Sequence, residues 1–232
     1  MKAIILAAGR GTRLKMDLPK APVRVDDQHT ILDYQVEKLT RFIPASDILV
    51  VVGFKKELVM NSHPELSYVH NAFYASTNTS KSLLYGLYQV DNEDFLWLNG
   101  DVVFDPLLIS RMLSQNSSCV LVDNKKCGPE EVKYRTDENG YLTFISKQLT
   151  EAEGEALGIN LVSRADLSQF RRHLEKVQDS DYFEKAIENF ILQDGGRFKA
   201  IPSDGLFCHE VDFLEDLEKV KAYLAGQKKV KL

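Results

Sequence analysis

Ala3 to Ala7 is an unbroken apolar run that stops at a glycine, the pattern of a short strand covered on both faces. The period then changes. Between Thr30 and Ile43, the residues Ile31, Leu32, Gln35, Val36, Leu39 and Phe42 fall on one helical stripe, with Thr30 and Asp33 spaced as a cap pair. Ile48 to Val52 predicts a second buried strand and Tyr68 to His70 a short third. Ser80 to Val90 predicts a helix through Leu83, Leu84, Leu87 and Val90. Phe95 to Leu98 is a strand running into Asn99-Gly100-Asp101, Pro106 to Leu113 a helix with proline in its first turn, and Cys119 to Val122 another strand.

The second half changes texture. Glu131 to Thr136 and Tyr141 to Ser146 flank Glu138-Asn139-Gly140, a turn signal that predicts a β-hairpin. A strand at Leu157 to Val162 follows, then helices at Ala165 to Val177 and Tyr182 to Gln193, the latter with Asp181 and Glu184 spaced as a cap pair. A short strand at Phe198 to Ile201 precedes a last helix, Asp212 to Leu224, which Gly226 is expected to end. Strands alternating with helices predict an α/β fold: a Rossmann-like, mostly parallel mixed sheet in a three-layer sandwich, with a small β-hairpin insertion over the active site. No linker separates the halves, about 1–125 and about 126–232, so residues 1–232 read as one domain.

Ligands of open α/β sheets sit beyond the carboxyl ends of the strands. The first such end is Leu6-Ala7-Ala8-Gly9-Arg10-Gly11-Thr12-Arg13-Leu14, with Pro19-Lys20-Ala21-Pro22 close behind. Small residues there let backbone N–H groups approach a phosphate chain without Cβ atoms in the way, and Arg13 and Lys20 add fixed positive charge. A dinucleotide-binding loop does not fit, because the third glycine position is Leu14 and prolines follow. A P-loop fails as well, since no G-x-x-x-x-G-K-[ST] occurs. The five histidines show no H-x-x-x-H or H-E-x-x-H spacing, and no serine sits in a G-x-S-x-G elbow, which removes zinc and serine-hydrolase chemistry.

These residues resemble the signature of nucleotidyltransferases that activate sugar-1-phosphates and small phospho-alcohols. The likeness runs along the chain in order. Asn99-Gly100-Asp101 is similar to the family's metal-binding aspartate turn, Ile145-Ser146-Lys147 to its second lysine segment, Gly154-Glu155-Ala156-Leu157-Gly158-Ile159 to its G-E-x-x-G-I strand opening, and Glu210-Val211-Asp212 to its closing E-[IV]-D. The resemblance implies Mg²⁺ held by Asp101 and Asp212, with Arg13, Lys20 and Lys147 as catalytic cations. Leu6, Ala7, Ala8, Gly9, Arg10, Gly11 and Thr12 then form the nucleotide loop. Helix capping is the competing role for Asp212. The chemistry implied is a single displacement, in which a substrate phosphate attacks the α-phosphorus of a nucleoside triphosphate and pyrophosphate leaves. Two anions must meet, and at about 4 Å they repel by roughly 4 kcal/mol per charge pair even at an effective dielectric near 20. Positioning and cations are what such a site must supply.

In length the chain resembles the short branch, which includes phosphocholine cytidylyltransferases. Asn71 to Leu83 is similar to that branch's N-x-x-Y-x-x-[TY]-N-[NT]-x-x-S-L segment, which implies that Thr77, Asn78 and Ser82 read the pyrimidine edge of CTP. The acceptor is harder to name. The phosphocholine enzymes carry a tryptophan at the hairpin start where this chain has Glu131-Val132-Lys133, and Trp97 reads as core. Glu131, Glu155, Tyr182 and Glu184 remain as candidate acceptor-binding residues. A sugar-1-phosphate nucleotidylyltransferase using UTP, dTTP or GTP is the alternative reading.

Composition narrows the picture only modestly. Twenty-nine basic against 34 acidic residues give a net charge of −5, which offers nothing to nucleic acid or an acidic membrane. Three scattered cysteines suit a reducing cytoplasm, and Gly9 to Arg13 interrupts the opening apolar run too early for a signal peptide. The expected protein is soluble and cytoplasmic, with CTP and a phosphorylated acceptor as its partners; a homodimer is compatible with the sequence.

Overall fold

Strand β1 (Lys2–Ala7) sends Ile4 and Leu6 to one side and Ala3, Ile5 and Ala7 to the other, and all five are buried. That alternation sets the layers of the computed structural model, which describes residues 1–230. After a 3₁₀ turn at Thr12–Leu14, the chain continues through α1 (Ile31–Leu39), β2 (Ile48–Val52), α2 (Lys56–Met60), β3 (Ser67–His70), α3 (Thr79–Leu87) and β4 (Phe95–Asn99). Then come β5 (Val102–Phe104), α4 (Pro106–Leu113), β6 (Cys119–Asp123), β7 (Lys133–Thr136), β8 (Leu142–Ser146) and β9 (Gly154–Val162). The chain closes with α5 (Arg164–Lys176), α6 (Phe183–Asp194), β10 (Lys199–Pro202), β11 (Cys208–Glu210) and α7 (Leu214–Val230).

The main sheet has the order β10-β6-β9-β4-β1-β2-β3. β1, β2, β3 and β4 run parallel, while β9 lies antiparallel between β4 and β6. One sheet therefore runs through both halves of the sequence. The β7–β8 hairpin hangs on the start of β9, where Lys133 pairs with Glu155. On one face the sheet packs against α1, α2 and α4 through Leu32, Leu39, Val59, Leu108 and Met112. The other face meets α3, α5 and α6 through Leu83, Leu87, Phe170, Ile187 and Phe190. Trp97 is fully buried there, stacked on Phe95 and Phe170. The three-layer α/β expectation holds, and so does the core role of Trp97.

Some boundaries move. The Thr30–Asp33 capping box is present, but α1 ends at Leu39 and Phe42 is exposed beyond it. Asp181 and Glu184 are not a cap pair: Tyr182 occupies the N-cap of α6, and the Asp181 carboxylate accepts the Gln178 N–H instead, at 2.8 Å. α7 begins at Leu214 and runs on through Gly226 to Val230. A single glycine on an open helix face costs only about 1 kcal/mol, too little to stop a helix anchored by Leu217, Val220 and Leu224. All three cysteines are free thiols. Among the described residues, no helix is long and apolar enough to cross a membrane.

Candidate active site

The carboxyl ends of β1 and β4 lie side by side, since Leu6 pairs with Asn99 in parallel register. The chain after each strand therefore opens into the same space, a cleft of about 520 Å³. Its floor is Leu6, Ala7, Gly9, Gly11, Thr12 and Arg13 from the first loop, with Asn99-Gly100-Asp101 from the second. Gly11 has φ +62, a left-handed conformation that bends the loop back on itself. Gly9 has open space where a Cβ would stand, as a phosphate cradle requires.

Asp101 and Asp212 are brought together by two short strands that the sequence reading missed. β5 and β11 pair antiparallel, Val102 opposite Glu210, and the Val211 N–H donates to the Asp101 carbonyl at 2.9 Å. The two aspartates thus lie at neighbouring ends of one ladder. Lys20 Nζ bridges them, donating to Asp101 Oδ2 at 2.7 Å and to Asp212 Oδ1. Arg13 adds an ion pair to Asp212 Oδ2 at 2.9 Å. Burial alone would lower the Lys20 pKa, but the two carboxylates outweigh it and hold the ammonium above its ordinary range.

Two further residues build this corner. Gln35 is fully buried on the otherwise apolar face of α1, and its Nε2 donates to the carbonyls of Asn99 at 2.9 Å and Val102 at 2.8 Å. It ties down the turn that presents Asp101. A polar residue inside an apolar stripe was the sequence signal for it. Glu210 accepts from Asn99 Nδ2 at 2.9 Å, and burial together with the neighbouring Asp101 charge pushes its pKa up to about 8. Asp216, in the first turn of α7, accepts the N–H groups of Phe213 and Asp212 just before the helix.

A divalent cation fits this donor set. Asp101 Oδ1 is buried without a hydrogen-bond partner, and hard carboxylate oxygens suit Mg²⁺. Among the described residues no group of three or more His, Cys, Asp or Glu could enclose a metal, so substrate phosphates would have to complete its shell.

The residues expected to bind the acceptor stand in the same cleft. Glu131, Lys147, Glu155, Tyr182 and Glu184 all line the cleft. The β7–β8 hairpin carries Lys147 there, fixed by Lys133 Nζ donating to its carbonyl at 2.7 Å. Glu155 pairs with Lys125 at 2.7 Å, whereas Glu131 Oε2 and Glu184 Oε2 are buried without partners.

Other expected residues stand elsewhere. Ala8 and Arg10 do not line the cleft; the Arg10 guanidinium lies 5.3 Å from the Phe54 ring. Thr77 and Ser82 do not line it either. Both hydroxyls accept from the buried Asn71 Nδ2 at 3.0 Å, and Thr77 also donates to the Phe73 carbonyl. Asn78 reaches the cleft, but its side chain caps α3 and donates to the Ser180 carbonyl at 3.1 Å. The segment fastens α3 to the start of α6 rather than offering three free base-reading side chains.

The mixed α/β sheet, the glycine loop after β1 and the carboxylates of Asp101 after β4 and Asp212 after β11, with Lys20 and Arg13 against them, are the frame of an α/β nucleotidyltransferase. The chain belongs to the family described as the MobA-like NTP transferase domain, whose profile matches residues 3–180. It is 35% identical to UTP–glucose-1-phosphate uridylyltransferase of Haloferax volcanii, over 97% of this chain and 96% of that protein. It is 26% identical to CTP:phosphoglutamine cytidylyltransferase of Campylobacter jejuni, over 94% and 98%. Among solved structures, CTP:phosphocholine cytidylyltransferase from Streptococcus pneumoniae shares the fold with a TM-score of 0.80 at 20% identity, over 96% of this chain and 98% of that one.

Proposed function

We propose that the protein is a Mg²⁺-dependent, cytoplasmic cytidylyltransferase that joins CMP from CTP to a small phosphorylated alcohol or phosphonate and releases pyrophosphate. The observation that carries this is the convergence of Asp101, Asp212, Lys20 and Arg13 beside the glycine loop. The Campylobacter relative named for CTP, matched over nearly its whole length, supports the choice of base.

Asp101 and Asp212 would hold Mg²⁺, which when bound neutralises charge on the triphosphate and on the leaving pyrophosphate. Arg13 and Lys20 face the same phosphates, and the open floor at Gly9 lets backbone N–H groups approach them. Lys147, just past β8, takes the acceptor phosphate and aims its oxygen at the α-phosphorus. No side chain accepts the transferred group; the work is positioning and charge.

The similarity to the Haloferax uridylyltransferase favours a second reading, a sugar-1-phosphate uridylyltransferase. Pyrophosphate release measured with each of CTP, UTP, dTTP and GTP, against phosphocholine, glycerol 3-phosphate, glucose 1-phosphate and related acceptors, separates the two. Turnover confined to CTP supports the proposal. Turnover with UTP and glucose 1-phosphate replaces it with the second reading, and silence with every pair defeats both.

A further inference from the structure

The first turns of α3 and α6 meet at the cleft. Asn78 and Thr79 line it from the first helix, and Tyr182, Phe183 and Glu184 from the second. Every residue from Asn78 to Lys81 bonds to the stretch that leads into α6. The Asn78 N–H donates to the Asp179 carbonyl at 2.7 Å, and its Nδ2 to the Ser180 carbonyl at 3.1 Å. Thr79 Oγ1 accepts the Phe183 N–H at 3.2 Å. Ser80 Oγ donates to the Asp181 carbonyl at 2.6 Å, and Lys81 Nζ to the Val177 carbonyl at 2.6 Å.

Helix α6 depends on this help. The first N–H groups of a helix have no partner within it, and a Ser, Thr, Asp or Asn at the N-cap commonly supplies one. Here the N-cap is Tyr182, whose side chain makes no cap bond. Thr79, 104 residues away in the chain, supplies the oxygen instead. Phe183 is 1% exposed, so water is a poor substitute. Ser80 acts one residue before the N-cap, on Asp181. It is fully buried and does not line the cleft, so whatever it does for a bound ligand it does through that carbonyl.

The two hydroxyls bear on one side of the site more than the other. Tyr182 and Glu184 sit on the turn they hold, and the Tyr182 ring in turn carries Lys147 Nζ at 4.5 Å from its centroid. The corner of Asp101 and Asp212 has separate supports, Gln35 and the β5–β11 ladder.

We propose that Thr79 and Ser80 are positioning residues for the acceptor: their hydroxyls fix the first turn of α6, and through it Tyr182, Glu184 and Lys147. This rests on the reading of the cleft as a nucleotidyltransferase site and adds how its acceptor-binding residues are held in place.

Steady-state pyrophosphate release tests it, with the wild type's best pair among CTP, UTP, dTTP and GTP and phosphocholine, glycerol 3-phosphate and glucose 1-phosphate. Ser80→Ala and Thr79→Val should each raise KM for the acceptor about tenfold, the scale of one buried hydrogen bond left unmade. KM for the triphosphate should change much less. Thr79→Ser keeps the hydroxyl and should restore most of the acceptor KM. Arg171→Met is the comparison. Arg171 holds the far end of α3 through the Leu87 and Val90 carbonyls, at 3.0 and 2.7 Å, and does not line the cleft. Its loss should lower the melting temperature and leave both KM values near wild type. Hydrogen exchange, which needs no substrate, should quicken over residues 181–184 in Ser80→Ala and Thr79→Val. An unchanged acceptor KM in Ser80→Ala overturns the proposal, as does an equal rise in both KM values, exchange that stays at the wild-type rate, or no rescue by Thr79→Ser. An equal acceptor defect in Arg171→Met would reduce the contacts to scaffold and overturn it too. Failure of the underlying reading looks different: the wild type itself releases no pyrophosphate with any pair, and the proposal falls with it.

Discussion

Lys20 and Asp101 stand 81 residues apart in the chain and 2.7 Å apart in the fold, ammonium against carboxylate. Lys20 reaches Asp212 as well, so one flexible cation holds together two carboxylates that would otherwise repel. Where the proposed Mg²⁺ would bind, a side chain already carries positive charge. This pairing also predicts how the protein behaves when either side of it is lost.

Asp101→Ala should remove nearly all turnover while leaving the fold in place, because the carboxylate meets Lys20 and solvent rather than the apolar core. Losses of about 10²–10³-fold are typical when one charge-stabilising group is removed. Pyrophosphate release and circular dichroism on the same preparation check it. Near-normal activity in a folded variant would falsify the metal assignment.

Lys20→Met takes away the shared cation. In EDTA the variant should melt several degrees below the wild type, since Asp101 and Asp212 then face each other with only Arg13, on the Asp212 side, to offset their repulsion. Millimolar Mg²⁺ should restore much of the difference by supplying a replacement cation. A melting temperature that ignores Mg²⁺ would show that the two carboxylates do not form a cation site.

Gln35→Leu keeps a similar volume on α1 but strips hydrogen bonds from the carbonyls of Asn99 and Val102. Leaving those buried acceptors unpaired should cost about 1–3 kcal/mol. Because the turn they belong to presents Asp101, kcat should fall further than stability alone explains. Denaturant unfolding and steady-state kinetics together separate the two effects; an unchanged kcat would confine Gln35 to packing.

Lys147→Ala should raise KM for the acceptor phosphate about tenfold or more, with a much smaller change in KM for CTP. Its place just past β8, against the Tyr182 ring, is the reason. A defect confined to CTP would assign Lys147 to the other anion.

The Asp33 carboxylate closes the cap of α1, accepting from the backbone and hydroxyl of Thr30 and from His63. Burial is the largest single influence and raises its pKa, but the donors together outweigh it and hold the carboxyl below the usual carboxylate value. With the folded pKa depressed, its contribution is present above the unfolded value near 3.8 and is lost as pH falls through the lower folded value. Asp33→Ala should therefore cost about 1 kcal/mol at neutral pH and little in strong acid. Chemical denaturation at the two pH values measures the difference; equal losses at both would mean the carboxylate charge plays no part.

Much of this was legible in one dimension. Apolar runs such as Ile48–Val52 needed no context, because a strand covered on both faces is apolar at every position. The glycine loop and Lys20 could be marked as expected phosphate groups from residue type and position after a strand, and Asp101 as an expected metal ligand from its resemblance to a family motif. The segment from Asn71 to Ser82 was harder to read. Its short polar side chains suit base recognition and loop fastening equally, and only the placement of Asn71 between Thr77 and Ser82 shows that those hydroxyls are spent inside the protein.

The sequence by itself determined the layering, most of the alternation of strands and helices apart from α2, β5 and β11, and the chemical inventory at the strand ends, because periodicity and residue type are local properties. Tertiary structure alone decided which of those groups meet. β5 and β11 are three residues each, too short to announce themselves by pattern, and they exist only because distant segments pair. That pairing places Asp212 beside Asp101, and the tertiary fold leaves Oε2 of Glu131 and of Glu184 buried without a hydrogen-bond partner. Distance and desolvation turn carboxylates into a site, and neither is written along the chain.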